Sequence, residues 1–205
     1  YKMSPQDILD KWADINAKSL VLGSAYHAKR EAEALSHDFM ERNGRMIPVH
    51  KPVYDGEWKI APCQQLAEGI YPEIICYSTE DGACGQSDRA EVIADELIIG
   101  DYKTNARLEQ GGYMKWNPVL RRKEETMMLP PFDHVPSGNF SEYTFQLSLY
   151  MYMILKQNPQ LKPGKMIIEH IKFHVEHYDD FGYPVYATDE NNVPLVQEIV
   201  PYVIP

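Results

Sequence analysis

Residues 85–105, GQSDRAEVIADELIIGDYKTN, set two acids and a lysine at the ends of apolar runs. Period-two alternation in ELIIGDYKT puts Leu97, Ile99, Asp101 and Lys103 on one strand face, with Ile98, Gly100 and Tyr102 on the other. A two-residue turn at Ala94 and Asp95 brings Asp88 across from Asp101, whereas a turn at Asp95 and Glu96 brings it across from Lys103. Either register leaves all three on one face. Opposed carboxylates stand about 5 Å apart at Cβ, and they repel unless a proton or cation lies between them. A divalent metal would resolve that repulsion. A solvated hairpin end with a surface Asp and Lys pair is the other reading the spacing allows.

The elements that must position these groups follow from local signals. SPQD, residues 4–7, offers an N-cap, a proline at the first helical position and a capping-box acid, so a helix is expected from about residue 5. A second helical stretch is expected from about Ser19 to Arg42, stopped by Asn43 and Gly44. Strands are expected at about 47–53, 57–65, 70–78, 84–93 and 96–104. Residues 105–140 are rich in Pro, Gly and Met and are expected as a long irregular loop or lid. FQLSLYMYMIL belongs to a helix over about Phe140–Lys156, apolar nearly all round and expected to be buried on several sides. KMIIEHIKFHVEHY, 165–178, reads as a long strand, and the tail from Asp179 shows no clear period.

The totals set outer bounds. A chain of 205 residues suits one domain, taken here as 1–205 with a loop insertion at about 105–140. No apolar run is long enough to span a bilayer, so no membrane partner is expected. The opening YKMSPQDILD has neither a basic start with an apolar stretch nor a small-residue cleavage site, and a secretion signal is not expected there. Cys63, Cys76 and Cys84 are an odd set with no CxxC pair; this argues against a disulfide framework and for a reducing, cytoplasmic setting. The formal charge of −10 argues against nonspecific coating of nucleic acid, although acids that gather a divalent cation reverse the field locally.

GQSDR followed by GDYKTN resembles the metal-binding core of the PD-(D/E)xK nuclease superfamily, in its RecB-like exonuclease branch. Asp88, Asp101 and Lys103 match the branch's acid on one strand and acid-x-lysine on the next. GSAYH supplies the upstream glycine and histidine, Gly23 and His27, and QLSLY supplies the downstream Q-x-x-x-Y, Gln146 and Tyr150. The resemblance runs from about 23 to 150 and lies nearest to stand-alone nucleases of phage or organellar genome-maintenance type. It implies an α/β (α+β) fold with a restriction-endonuclease-like core, a mixed central β-sheet flanked by helices. It implies Mg2+ or Mn2+ held by His27, Asp88, Asp101 and the Tyr102 carbonyl, with Glu73 as a further metal or water contact and Glu31 behind them. Lys103 would orient the attacking water or stabilise developing charge, and Gln146 and Tyr150 would contact DNA or brace the site. The implied reaction is DNA phosphodiester hydrolysis, on single strands or ends, in replication, recombination or repair.

Relatives in this branch that hold an iron-sulfur cluster use four cysteines, one early and three late. This chain has three, none after Cys84, so no cluster is expected. YMKWNPVLRRK in the long loop gathers Lys115, Trp116, Arg121, Arg122 and Lys123 without an acid, as expected of a segment lining a single-stranded DNA path. A non-catalytic DNA-binding or assembly subunit that keeps the fold is the alternative, against which the intact Asp88, Asp101 and Lys103 stand.

Overall fold

A computed structural model describes residues 3–61 and 64–204, and its first element starts where the sequence places a cap. The Ser4 N–H donates to Asp7 Oδ2 at 2.8 Å and the Asp7 N–H returns a bond to Ser4 Oγ at 3.2 Å, closing a capping box ahead of α1 (Pro5–Leu35). The two helical stretches expected here are one helix, and it ends at Leu35 rather than Arg42. β1 (Phe39–Arg42) instead folds back on β2 (Arg45–Pro48). Asn43 and Gly44 have φ of 52° and 75°, the left-handed pair that closes a tight hairpin, so this dipeptide turns a strand and does not stop a helix.

The strands expected at 47–53 and 57–65 shrink to β3 (Val53–Asp55) and β4 (Trp58–Ile60), a small hairpin; the second expectation also runs into Pro62 and Cys63, outside the described residues. β5 (Gly69–Ser78), β6 (Ala83–Ile93) and β7 (Glu96–Lys103) lie close to their expected bounds. Ile93 pairs with Glu96 and Arg89 with Gly100, the register of a turn at Ala94 and Asp95, with Ala94 at φ 59°. The long loop contains a hairpin of its own, β8 (Met114–Asn117) and β9 (Arg122–Glu125), before α2 (Asn139–Gln157). β10 (Lys162–Phe173) and β11 (Val175–Tyr178) divide the expected long strand. The tail holds β12 (Pro184–Tyr186) and β13 (Val196–Ile204), which its scattered prolines and tyrosines concealed.

Five of these strands form one mixed sheet in the order β13-β10-β7-β6-β5. β10 runs parallel to β7 and every other neighbouring pair is antiparallel. The fold is therefore mixed α/β, with helices on both faces. Leu147, Met151, Met153 and Ile154 of α2 pack on Ala90, Val92, Leu97, Ile99 and Ile168. Each large side chain buried here is worth about 1.5–3 kcal/mol, enough to seat the helix without help from its ends. α2 is not buried on several sides, since Leu149 and Tyr152 face outward. On the opposite face Tyr26 of α1 packs with Tyr102, Ile171 and Phe173.

Candidate metal centre

Both ladders flanking β6 open at one level. The β5–β6 ladder pairs Pro72 with Arg89 and Ile74 with Ser87 but skips Glu73, whose φ of 49° kinks the strand. The β6–β7 ladder ends at Arg89 and Gly100. Glu73, Asp88 and Asp101 thus fall in one row across three strands, where the β5–β6 ladder is interrupted and the β6–β7 ladder ends.

The Asp88 carboxylate fills that opening. One oxygen accepts the Tyr102 N–H, and the other lies 3.1 Å from His27 Nδ1. One ligand-type atom from each of His27, Glu73 and Asp88 lies within 4.8 Å of the other two. His27 reaches this point because α1 comes close to the end of β7 one turn earlier: a Cβ built on Gly23 would stand 3.0 Å from Thr104 Oγ1. The Gln86 side-chain amide donates to Glu73 and holds that carboxylate toward the others.

Asp101 stands beside this trio and not within it. It is 3% exposed, and its Oδ2 lies 2.6 Å from Lys103 Nζ in a charge contact without the alignment of a hydrogen bond. Burial pushes its carboxyl up to about 6, and the Asp88 charge adds to the rise while Lys103 and His27 oppose it. Burial likewise raises Glu73, again with Asp88 as the second cause. The hydrogen bond to Asp88 raises His27, partly offset by burial. All three shifts favour the protonated form, as expected where anions outnumber cations in a partly dry place. A cation would replace the missing protons.

Hard carboxylate oxygens with one imidazole suit Mg2+ or Mn2+ better than softer ions, so this donor set is chemically compatible with the ion that the nuclease resemblance implies. His27 and Glu73 line a cleft of about 470 Å³ together with Glu31 and Thr104, whereas Asp88 lines another of about 280 Å³ with Glu31, Arg89 and Tyr102.

A raised carboxyl has a consequence for the metal-free chain. Asp101 binds its proton more tightly folded than unfolded, so its stabilising contribution is complete below about pH 4 and is lost as pH rises through about 6. Asp101→Asn, which cannot ionise, will therefore melt higher than wild type above pH 6, with the gap closing below it. Thermal melts of both proteins in chelator across about pH 4–8, a range of about two units either side of the titration, check this; a gap independent of pH would contradict it.

Lys103 is oriented from α2. Its ammonium donates to Gln146 Oε1 at 3.2 Å and lies 4.2 Å from the centre of the Tyr143 ring. Gln146 Nε2 in turn donates to the Tyr150 hydroxyl at 2.7 Å. The Tyr150 ring is buried over Gly85, where a Cβ would come within 2.3 Å of it. Tyr143 donates to Asn105 Oδ1 at 2.8 Å, and the Asn105 carbonyl lies 2.7 Å from Nε2 of the buried His170. Sequence reasoning missed Tyr143, Asn105 and His170. Tyr143 was accessible to it, being one helical turn before Gln146 on the same face.

Glu31 lines the cleft, but its carboxylate meets Lys59 Nζ at 2.7 Å, which ties the β3–β4 hairpin to α1. The imidazole is hydrogen-bonded to the Asp88 carboxylate instead. Lys115, Trp116, Arg121, Arg122 and Lys123 all sit exposed on the β8–β9 arm. Arg122 pairs with Glu124 at 2.9 Å, and Glu124 also stands across from Lys115, so part of the local positive charge is cancelled by acids just beyond the basic run. No family model, curated protein or solved structure matches the chain.

Proposed function

We propose that the chain is a Mg2+- or Mn2+-dependent deoxyribonuclease of the PD-(D/E)xK type, with a restriction-endonuclease-like core, acting as an exonuclease on single-stranded DNA or DNA ends. The observation that carries this reading is the approach of His27, Glu73 and Asp88 to within 4.8 Å, with the Asp101 and Lys103 pair beside them. His27, Asp88, Asp101 and the Tyr102 carbonyl would hold the ion, with Glu73 as a further contact. When bound, such an ion supplies a more acidic water and offsets charge building on the phosphate.

The chain's own groups do the rest. Lys103, steadied by Gln146, places a cation where the attacked phosphate gains negative charge. Asp101, neutral or charged near pH 6, sets the charge of the pocket that receives it. Tyr150 braces Gln146 from within the core. The exposed bases of the arm would follow the phosphate backbone while Trp116 stacks on bases.

The test is incubation of the protein with end-labelled single- and double-stranded DNA in Mg2+ or Mn2+, beside Asp101→Ala. Metal-dependent cutting that the variant lacks supports the proposal. Tight DNA binding without cutting in either metal would favour a non-catalytic DNA-binding or assembly subunit, and cutting that survives the substitution would assign it to another site or a contaminant.

Gln146→Leu isolates the orientation of Lys103. It keeps apolar packing but removes the acceptor, and cleavage is expected to fall by about tenfold, near the worth of one hydrogen bond to a charged group. The melting temperature should stay within a few degrees. An unchanged rate would show that Lys103 needs no such brace.

A further inference from the structure

A further cleft, of about 220 Å³, lies between the β3–β4 hairpin and β5. It adjoins the candidate metal centre. Glu73, one of the metal trio, lines it as well as the cleft that holds His27, and Lys59 on its wall meets Glu31 of that neighbouring cleft at 2.7 Å.

Part of its lining is a flat aromatic pair. The His50 and Tyr71 rings stack with centroids 4.4 Å apart and planes 11° from parallel. Both rings are held at their polar atoms: His50 Nε2 lies 3.1 Å from the Glu68 carbonyl, and the Tyr71 hydroxyl donates to the Ala67 carbonyl at 2.9 Å. Gly69 makes room for this pair, because a Cβ there would stand 2.1 Å from the imidazole. Val53 and Ile60, cross-strand partners on the hairpin, add apolar lining. Lys51 and Lys59 line the cleft against one carboxylate, Glu73, a local reversal of the chain's charge of −10. Lys51 pairs with Asp38, but both are exposed, so another anion can take that place at little cost.

We infer that this cleft receives one unstacked nucleobase of the strand whose phosphate meets the metal centre, with the base on the His50 and Tyr71 pair and the lysines on a flanking phosphate. A fixed aromatic surface offers a π-face to any base, and cations beside it select a ligand that joins an aromatic ring to an anion. The volume suits one base with its sugar rather than a base pair, so the strand is unpaired at this point. Because Glu73 belongs to both clefts, the base comes from a nucleotide next to the attacked bond. This rests on the nuclease reading, yet it can fail separately.

The test measures binding of full-length Asp101→Asn protein, in Mg2+, to single-stranded oligonucleotides in which one nucleotide at a time is replaced by an abasic residue. Loss of the base next to the bond that the wild-type chain cuts should weaken binding by about tenfold, the worth of one stacked base, and loss of any other by less than about twofold. Val53→Trp places a ring in the cleft from a position that is half exposed, so the fold is kept; it should abolish the position-specific penalty and leave the salt dependence of binding unchanged. His50→Phe, which keeps a ring against Tyr71, should retain the penalty, and His50→Ala should reduce it. A penalty spread evenly along the strand, or one that survives Val53→Trp, overturns the base site. A penalty confined to one position in a chain that cuts no DNA in Mn2+ would support the base site and overturn the nuclease reading; metal-dependent cutting without such a penalty would do the reverse.

Discussion

On the proposed nuclease reading, Asp101→Ala will lower Mn2+-dependent DNA cleavage by about a thousandfold or more, close to 4 kcal/mol of transition-state stabilisation. The size follows from where Asp101 lies. It is buried, it meets Lys103 at 2.6 Å, and it responds to the Asp88 charge, so its removal alters the metal environment and frees the lysine together. The lysine would then be drawn toward Asp88, away from an attacked phosphate. Asp101→Asn separates the charge effect from a loss of fold, because the amide keeps the volume and removes the anion. Mn2+ titration followed by electron paramagnetic resonance should show weakened binding in both variants. A rate above about a tenth of wild type, a loss smaller than 1.4 kcal/mol, with DNA binding matched, would remove Asp101 from the centre.

The largest effect on stability is expected far from that centre. Asn158 is fully buried at the end of α2. Its amide donates to the Gln64 and Ile154 carbonyls at 2.7 Å each, and its Oδ1 accepts the Leu66 N–H at 2.7 Å. Asn158→Ala strips partners from three backbone groups at once, and each buried polar group left unpaired costs about 1–3 kcal/mol. A total loss of about 3 kcal/mol or more is expected, or roughly 10 °C in Tm for a chain of this size. Chemical denaturation checks the free energy. A loss below about 1 kcal/mol would mean that water or a shifted loop takes over these bonds. The sequence shows only KQNP, a turn-like string, because the partners at 64–66 are distant in the chain.

The same division separates what was legible from what was not. The capping box at Ser4 and the alternation in β5 to β7 are local, and each was read close to where it stands, whereas the two turns the sequence allowed after β6 were resolved to Ala94 and Asp95 only by the ladder. Asn43 and Gly44 were local as well, yet a stop for a helix and a turn for a hairpin use the same left-handed backbone. Pairing of Phe39–Arg42 with Arg45–Pro48 decided between them. The arm was read for its charge, and its strands were missed because Pro118 and the neighbouring glycines outweigh two short runs of alternation.

By itself the sequence determined which residues could serve: the acid-x-lysine spacing of Asp101 and Lys103, Asp88 one hairpin away, and the helical spacing of Gln146 and Tyr150. Those relations hold within one element or one tight turn, where backbone geometry alone sets the distance. Only the tertiary structure decided their partners. Asp88 meets His27 across 61 residues of chain, Glu73 joins them through a kinked strand, Lys59 takes Glu31, and Asp101 turns to Lys103. Such meetings depend on how helices lie across an open five-stranded sheet, and that is set by burial of apolar faces summed over the whole chain, with no record in the spacing of any one segment.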